Sequence, residues 1–285
     1  MLLLVDLDGV VYRGAEAVPG VAAVLADRAR RGDDVVYVTN NSMHYRADYV
    51  TRLAGMGAPV SADRVVSSSR ATALYVREHL PDVRRVLTVG ERGLERELED
   101  VGLDVVTAAS AAERAEAAHM DGYEAAGQPH AVIVGVDPGI SYTRLAAAAD
   151  CIRGGARFIA TNRDPTYPIE ARLRPGAGAI VAAIAVACGR EPEVSIGKPE
   201  PLLLLEAASA VGARAADGVM IGDGILTDLA AARAVGARCI LMLTGVTTRE
   251  ALDALPAEAR PTAIAADATE LAAALEVLAG AASRG

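Results

Sequence analysis

Positive charge is scarce in this chain. Its 285 residues include 28 Lys plus Arg against 37 Asp plus Glu, a net charge of -9. Without a basic excess there is no surface to displace counterions from a nucleic-acid backbone, so partners of that class are excluded. Any phosphate that binds must find its positive charge locally. Lysine is scarcer still: Lys198 stands alone, and the other 27 cations are Arg. Cysteine is limited to Cys151, Cys188 and Cys239, each in apolar surroundings with no CxxC or Cys/His spacing, which indicates neither a zinc site nor a disulfide framework. Such thiols suit a reducing cytosol. Long apolar runs are missing too, since the nearly apolar stretch Gly176 to Gly189 falls far short of the roughly 20 residues that span a bilayer. The opening run Leu2 to Val5 is cut short by Asp6 and follows no basic region, which argues against a signal peptide. A soluble cytoplasmic protein with no membrane partner is expected.

Apolar residues are plentiful, at 52%. A chain of this length buries one large core or two smaller ones, and two domains are expected. Short β-branched runs alternate with helical patterns, the signature of a parallel sheet wound with helices. Leu2 to Val5 leads to a helix pattern on Val21, Val24 and Leu25. Val35 to Val38 passes through Thr39, Asn40, Asn41 and Ser42 into a helix carrying Tyr49, Leu53 and Met56. Val194 to Ile196 runs into Gly197, Lys198 and Pro199, and Val219 to Ile221 runs into Gly222, Asp223 and Gly224 before a helix from about Thr227. Arg238 to Leu243 and Thr262 to Ala266 read as further strands, and the Ala-rich tail after Asp267 as a last helix fraying at Ser283 to Gly285. In open α/β sheets ligands bind at the carboxyl ends of the strands, so turns far apart in sequence can converge there.

Between the second and third of these turns lies a stretch too long for a loop. Val86 to Val89, Val105 to Thr107, Ala131 to Val136 and Phe158 to Thr161 read as strands separated by helices. Residues 82–191 are therefore expected to form an inserted α/β domain, and residues 1–81 with 192–285 the domain that carries it, with hinges near Pro81 and at Arg190 to Pro192.

Asp6 and Asp8 stand where the first strand leaves the core. Neighbouring carboxylates repel unless a cation or proton relieves them. A hard divalent ion such as Mg²⁺ does so, taking one or two carboxylates, waters and phosphate oxygens. On that chemistry Asp6 holds the metal with one oxygen and attacks phosphorus with the other, giving an aspartyl-phosphate. Asp8 serves as acid toward the leaving oxygen and then as base toward water. Taken alone, a DxD pattern is also what turn and helix-cap hydrogen bonding produces. Thr39, Asn40 and Asn41 precede a helix, where free N–H groups and the dipole favour an anion such as a phosphoryl group, and Ser42 suits the N-cap.

Lys198 is a compact ammonium in a chain that otherwise relies on Arg. A Walker A loop is excluded, because Pro192 stands at its first glycine and Pro199 follows the Lys. Pro199 instead fits the first turn of the next helix. Lys198 is read as a point charge against phosphate and carboxylate. Asp223, between two glycines that permit close backbone approach, is read as the second side-chain ligand of the metal. Asp228 suits orientation of Lys198 or of a water on the metal, and equally the dipole of its helix.

DLDGV at 6–10, TNNS at 39–42, GKP at 197–199 and GDGILTD at 222–228 resemble, in order and spacing, the motifs of the haloacid dehalogenase (HAD) superfamily. More narrowly, the chain resembles subfamily IIA, the p-nitrophenylphosphatase and NagD-like phosphatases. The resemblance implies an α/β fold with a Rossmann-like three-layer core, and an α/β cap between the second and third motifs. It also implies Mg²⁺ dependence, a small phosphorylated metabolite as substrate, and a homodimer formed through the cap. By matching position, Asp6 is the nucleophile and Asp8 the acid/base whose carbonyl also meets the metal. Asp223 is the remaining protein ligand, and Thr39, Asn40, Asn41 and Lys198 form the phosphate site. The stretch FIATNRDPTYPI at 158–169 resembles the cap segment that contacts substrate, with Tyr167 where pyridoxal phosphatases carry His. Gly224 replaces the Arg or Asn that often follows GD. The expected activity is Mg²⁺-dependent hydrolysis of glycerol, sugar, nucleotide or p-nitrophenyl phosphate esters. A phosphoryl transferase with a sugar acceptor and a phospho-accepting signalling module are the alternatives. The signalling module is disfavoured by Asp8 and by the large insert.

Overall fold

The computed structural model of the chain describes residues 1–169 and 172–282, so the expected fraying at Ser283 to Gly285 lies outside the described residues. The chain divides into two units, one made of Met1–Thr39, Ala47–Val66 and Lys198–Gly285, the other of Asn40–Arg46 and Ser67–Gly197.

A parallel sheet forms the first unit. Its order is Ala263–Ala265, Arg238–Met242, Val219–Gly222, Leu2–Asp6, Asp34–Thr39 and Val65–Ser67. Every residue of Leu2–Asp6 is buried, as expected for a central parallel strand covered on both faces. Leu3, Val5, Val35, Tyr37, Val219 and Ile221 point to one face, where they pack with Val21 and Leu25 of the helix Val21–Arg30, Leu53 of Arg46–Gly55 and Leu271 and Leu275 of Ala268–Ala282. The helix Leu202–Ser209 lies against Leu2–Asp6 and Asp34–Thr39, burying Leu203, Leu204 and Ala207. Leu2–Asp6 sits between Val219–Gly222 and Asp34–Thr39, with Val5 opposite both Ile221 and Tyr37. That register brings the ends of all three strands, with Asp6, Thr39 and the residue after Gly222, to one edge of the sheet. The strand order also switches there, which is where open α/β sheets bind ligands.

The second unit has its own parallel sheet, ordered Val194–Ser195, Arg157–Ala160, Ala131–Val134, Arg85–Val89 and Asp104–Thr107. Alanine-rich helices Ala108–Ala118, Tyr142–Arg153 and Ala177–Cys188 pack on it around Phe158, Val132 and Leu87. An antiparallel hairpin, Thr166–Ile169 with Arg172–Pro175, pairs Tyr167 with Arg174.

This unit is larger than the span 82–191. The helix Ser68–His79 packs against Arg92–Glu99, and Arg46 forms ion pairs with the buried Glu97 and with Asp100. Val194–Ser195, read from sequence as the strand leading to Lys198, pairs with Arg157–Ala160 in this sheet. Ser42 is not a helix cap: the next helix starts at Arg46, and the Ser42 hydroxyl accepts from Val136 N at 3.1 Å. Pro199 lies outside the first turn of the following helix, which begins at Leu202, and its peptide bond to Lys198 is cis.

Candidate active site

Asp6 is the last residue of its strand, so the fully buried run Leu2–Val5 delivers its carboxylate to the sheet edge. Lys198, only 3% exposed, reaches Asp6 Oδ1 at 2.7 Å and Asp228 Oδ1 at 2.6 Å with the same ammonium. The other oxygen of Asp228 accepts the backbone N–H groups of Asp223 and Gly224 at 3.0 and 2.8 Å. Asp228 thus ties the Lys198 ammonium to the turn that presents Asp223. Such a bracket is possible because the chain makes a π turn at Ile225–Leu229, where Leu229 N bonds Gly224 O at 3.0 Å. The sequence reading places an ordinary helix from Thr227, whereas the α-helix proper is Ala230–Ala234. Single π turns of this kind recur at functional sites.

Carboxylate oxygens of Asp6, Asp223 and Asp228 lie within 4.8 Å of one another, and all three residues are buried. Burial drives the Asp6 carboxyl well above the usual carboxylate range; Lys198 pulls it back, while Asp228 and Asp223 push it further up. Asp223 is raised to about 6, by burial first and then by Asp228. Burial opposes the Lys198 ammonium, yet Asp228 and Asp6 outweigh it and hold its pKa above the ordinary lysine value. Three carboxylates against one ammonium leave a deficit of two positive charges. The donor set is all oxygen and unable to neutralise itself, which fits a hard divalent cation.

Asp223 is held from a strand exit that the sequence reading passes over. Its Oδ2 accepts Val246 N at 2.7 Å, and Thr244 Oγ1 donates to the carbonyl of Gly9 at 2.6 Å. A Cβ at Gly9 or at Gly245 would run into the Asp223 carboxylate, and Gly9 also has a φ of +80°. These glycines let two turns close on one side chain. The signal was present as LTGVTT after the buried strand Arg238–Met242, a glycine turn of the same kind as the others.

Among the sequence candidates, Asp6, Lys198, Asp223 and Asp228 form one bonded cluster. Asp8 is half-buried in the turn that follows Asp6, where Leu7 O accepts Val11 N at 2.9 Å. Thr39 is buried at the end of the adjoining strand, whose Val38 stands opposite Asp6. Asn40, Asn41 and Tyr167 belong to the second unit. There Asn40 Nδ2 donates to Asp164, and Asn41 Oδ1 accepts Met43 N at 2.9 Å.

Family models described as haloacid dehalogenase-like hydrolase and HAD-hydrolase-like match residues 3–104 and 195–271. The chain is 32% identical to a 5'-nucleotidase of Bacillus subtilis over 87% of this chain and 88% of that protein. The p-nitrophenyl phosphatase from Archaeoglobus fulgidus superposes with a TM-score of 0.83 and 31% identity, covering 96% of this chain and 98% of that one. A glycerol phosphate phosphatase from Mycobacterium tuberculosis, solved in complex with magnesium, superposes with a TM-score of 0.80 and 33% identity, over 95% and 75% of the two chains. These similarities show that the chain belongs to the haloacid dehalogenase-like hydrolases, in their p-nitrophenylphosphatase and NagD-like branch of phosphoric monoester hydrolases.

Proposed function

We propose that the chain is a Mg²⁺-dependent phosphatase of small phosphomonoesters that works through an aspartyl-phosphate on Asp6. The observation that carries this reading is the Lys198 ammonium shared between Asp6 Oδ1 and Asp228 Oδ1. It fixes one Asp6 oxygen and leaves Oδ2 to attack phosphorus as the bond to the alcohol oxygen breaks. Asp8, two residues on and half-buried, gives its proton to the departing alkoxide and then takes one from water. That water attacks the aspartyl-phosphate, releases inorganic phosphate and restores Asp6. Lys198 offsets charge on the transferring group at a buried, preorganised position. Asp6, Asp223 and the Asp8 carbonyl would hold Mg²⁺, which when bound neutralises the carboxylates and polarises a phosphoryl oxygen. Thr39, at the end of the strand beside Asp6, is assigned to the phosphoryl oxygens.

Relatives named for a nucleotide, p-nitrophenyl phosphate and glycerol phosphate share the phosphomonoester and differ in the alcohol, so the ester is the supported class. The test is phosphate release by chelator-treated protein from a panel of these esters and sugar phosphates, with and without added Mg²⁺. Mg²⁺-dependent release from at least one ester is expected, with water as acceptor by product analysis. No release from any of them would overturn the proposal.

A further inference from the structure

Two residues of the second unit are bonded directly to residues of the candidate site: Asn40 follows Thr39, and Gly197 precedes Lys198. A single loop, Thr161 to Asp164 at the exit of the strand Arg157–Ala160, grips both. Asn40 Nδ2 donates to the two carboxylate oxygens of Asp164 at 3.1 and 2.9 Å. The Asn40 carbonyl accepts from Asn162 Nδ2 and from Ser68 Oγ, each at 2.7 Å. Gly197 N donates to the Thr161 carbonyl at 2.8 Å. Packing at Gly197 leaves no room for a side chain, because a Cβ there would lie 2.6 Å from Asn40 Oδ1, 2.7 Å from Asn162 Cβ and 2.9 Å from Thr161 O.

The loop is itself firmly held. Thr161 and Asn162 are buried, Asp164 N donates to Asn162 Oδ1 at 3.1 Å, and Gly178 N at the start of the helix Ala177–Cys188 donates to the Asp164 carbonyl at 2.9 Å. A half-buried carboxylate is thereby aimed at a neutral amide. These bonds hold the Asn40 side chain against the loop, as a strut between the two segments.

We infer that Asn162 and Asp164 are positioning residues for phosphoryl transfer: by clasping Asn40 and Gly197 together they set the placement of Thr39 and Lys198, the next residues along each chain segment. This rests on the phosphatase reading above. Each acts through the backbone it holds.

The test uses the full-length protein with p-nitrophenyl phosphate and Mg²⁺, and measures kcat, KM, the inhibition constant of inorganic phosphate, and the unfolding midpoint. Asp164→Ala removes a charge-assisted hydrogen bond, and kcat/KM should fall about 10- to 100-fold, with weaker inhibition by phosphate in the same variant. Asp164→Asn keeps one acceptor oxygen and should lose only about 3- to 10-fold. Because Asn40 and Asp164 act as one unit, Asn40→Ala with Asp164→Ala should be no worse than Asn40→Ala alone, within about twofold. Wild-type kcat/KM and phosphate inhibition in Asp164→Ala, or penalties that multiply in the double variant, would overturn the clasp. If Asp164→Ala does not fold, wild-type constants in Asp164→Asn do the same. An inactive wild-type protein sinks the phosphatase reading, whereas an active one with unaffected variants sinks the clasp alone.

Discussion

Replacing Lys198 with Met keeps an unbranched stem of similar length and removes the ammonium that Asp6 and Asp228 share at 2.7 and 2.6 Å. All three side chains are buried. Breaking a buried ion pair from one side leaves an uncompensated charge and costs about 3–5 kcal/mol. At about 2–4 °C per kcal/mol, the unfolding midpoint should drop by about 6–20 °C. The loss should depend on pH, and its sign follows from proton binding. Asp223 is held at about 6 and Asp6 is also raised, against an ordinary value of 3.8. The folded chain keeps these protons where the unfolded chain has released them, so metal-free stability falls as pH rises from about 4 to about 6 and beyond. Without Lys198 nothing holds the Asp6 value down, and the window extends upward. The deficit of Lys198→Met should therefore be larger near pH 8 than near pH 5. Thermal unfolding of both proteins in chelator at the two pH values measures this. Equal midpoints near pH 8 would refute the ion-pair account. Phosphatase turnover should fall by about 10²–10³ as the preorganised charge is lost.

Asp6→Asn keeps the shape of the side chain and removes its nucleophilicity; the protein should remain folded and release no more than a trace of phosphate, and appreciable turnover would refute Asp6 as the attacking group. Gly245→Ala drives a methyl group into the Asp223 carboxylate, so half-saturation by Mg²⁺ in the phosphatase assay should rise by at least about tenfold. An unchanged Mg²⁺ response would remove Asp223 from the metal site. Burial pushes the Cys151 thiol up to about 12 and raises Cys239 as well, while Cys188 is half-buried. Near pH 8 a thiol-alkylating reagent should label at most one cysteine in the native protein and all three in denaturant, read by mass. Rapid native labelling of two would contradict the core packing.

Where a site residue depends on its immediate neighbours, the sequence is a good guide. Leu2–Val5 is apolar because both faces of its strand are covered, and Asp6 follows at its end. Gly222 and Gly224 flank Asp223 for a similarly local reason. Local pattern is a poor guide where a contact joins distant segments. Val194–Ser195 reads as any short strand, and only its pairing with Arg157–Ala160 assigns it to the second sheet. Ser42 looks like a cap until Val136, 94 positions away, takes its hydroxyl.

The chain by itself determined the chemistry on offer: acidic residues at strand ends, one lysine, glycine turns and two wound parallel sheets, because period and turn composition are encoded within a few residues. Tertiary structure alone decided which charge meets which. Lys198 lies 192 positions from Asp6, and no local rule says that its ammonium divides between Asp6 and Asp228. The register of three parallel strands brings those segments to a common edge, and burial there makes the excess of negative charge demand a cation.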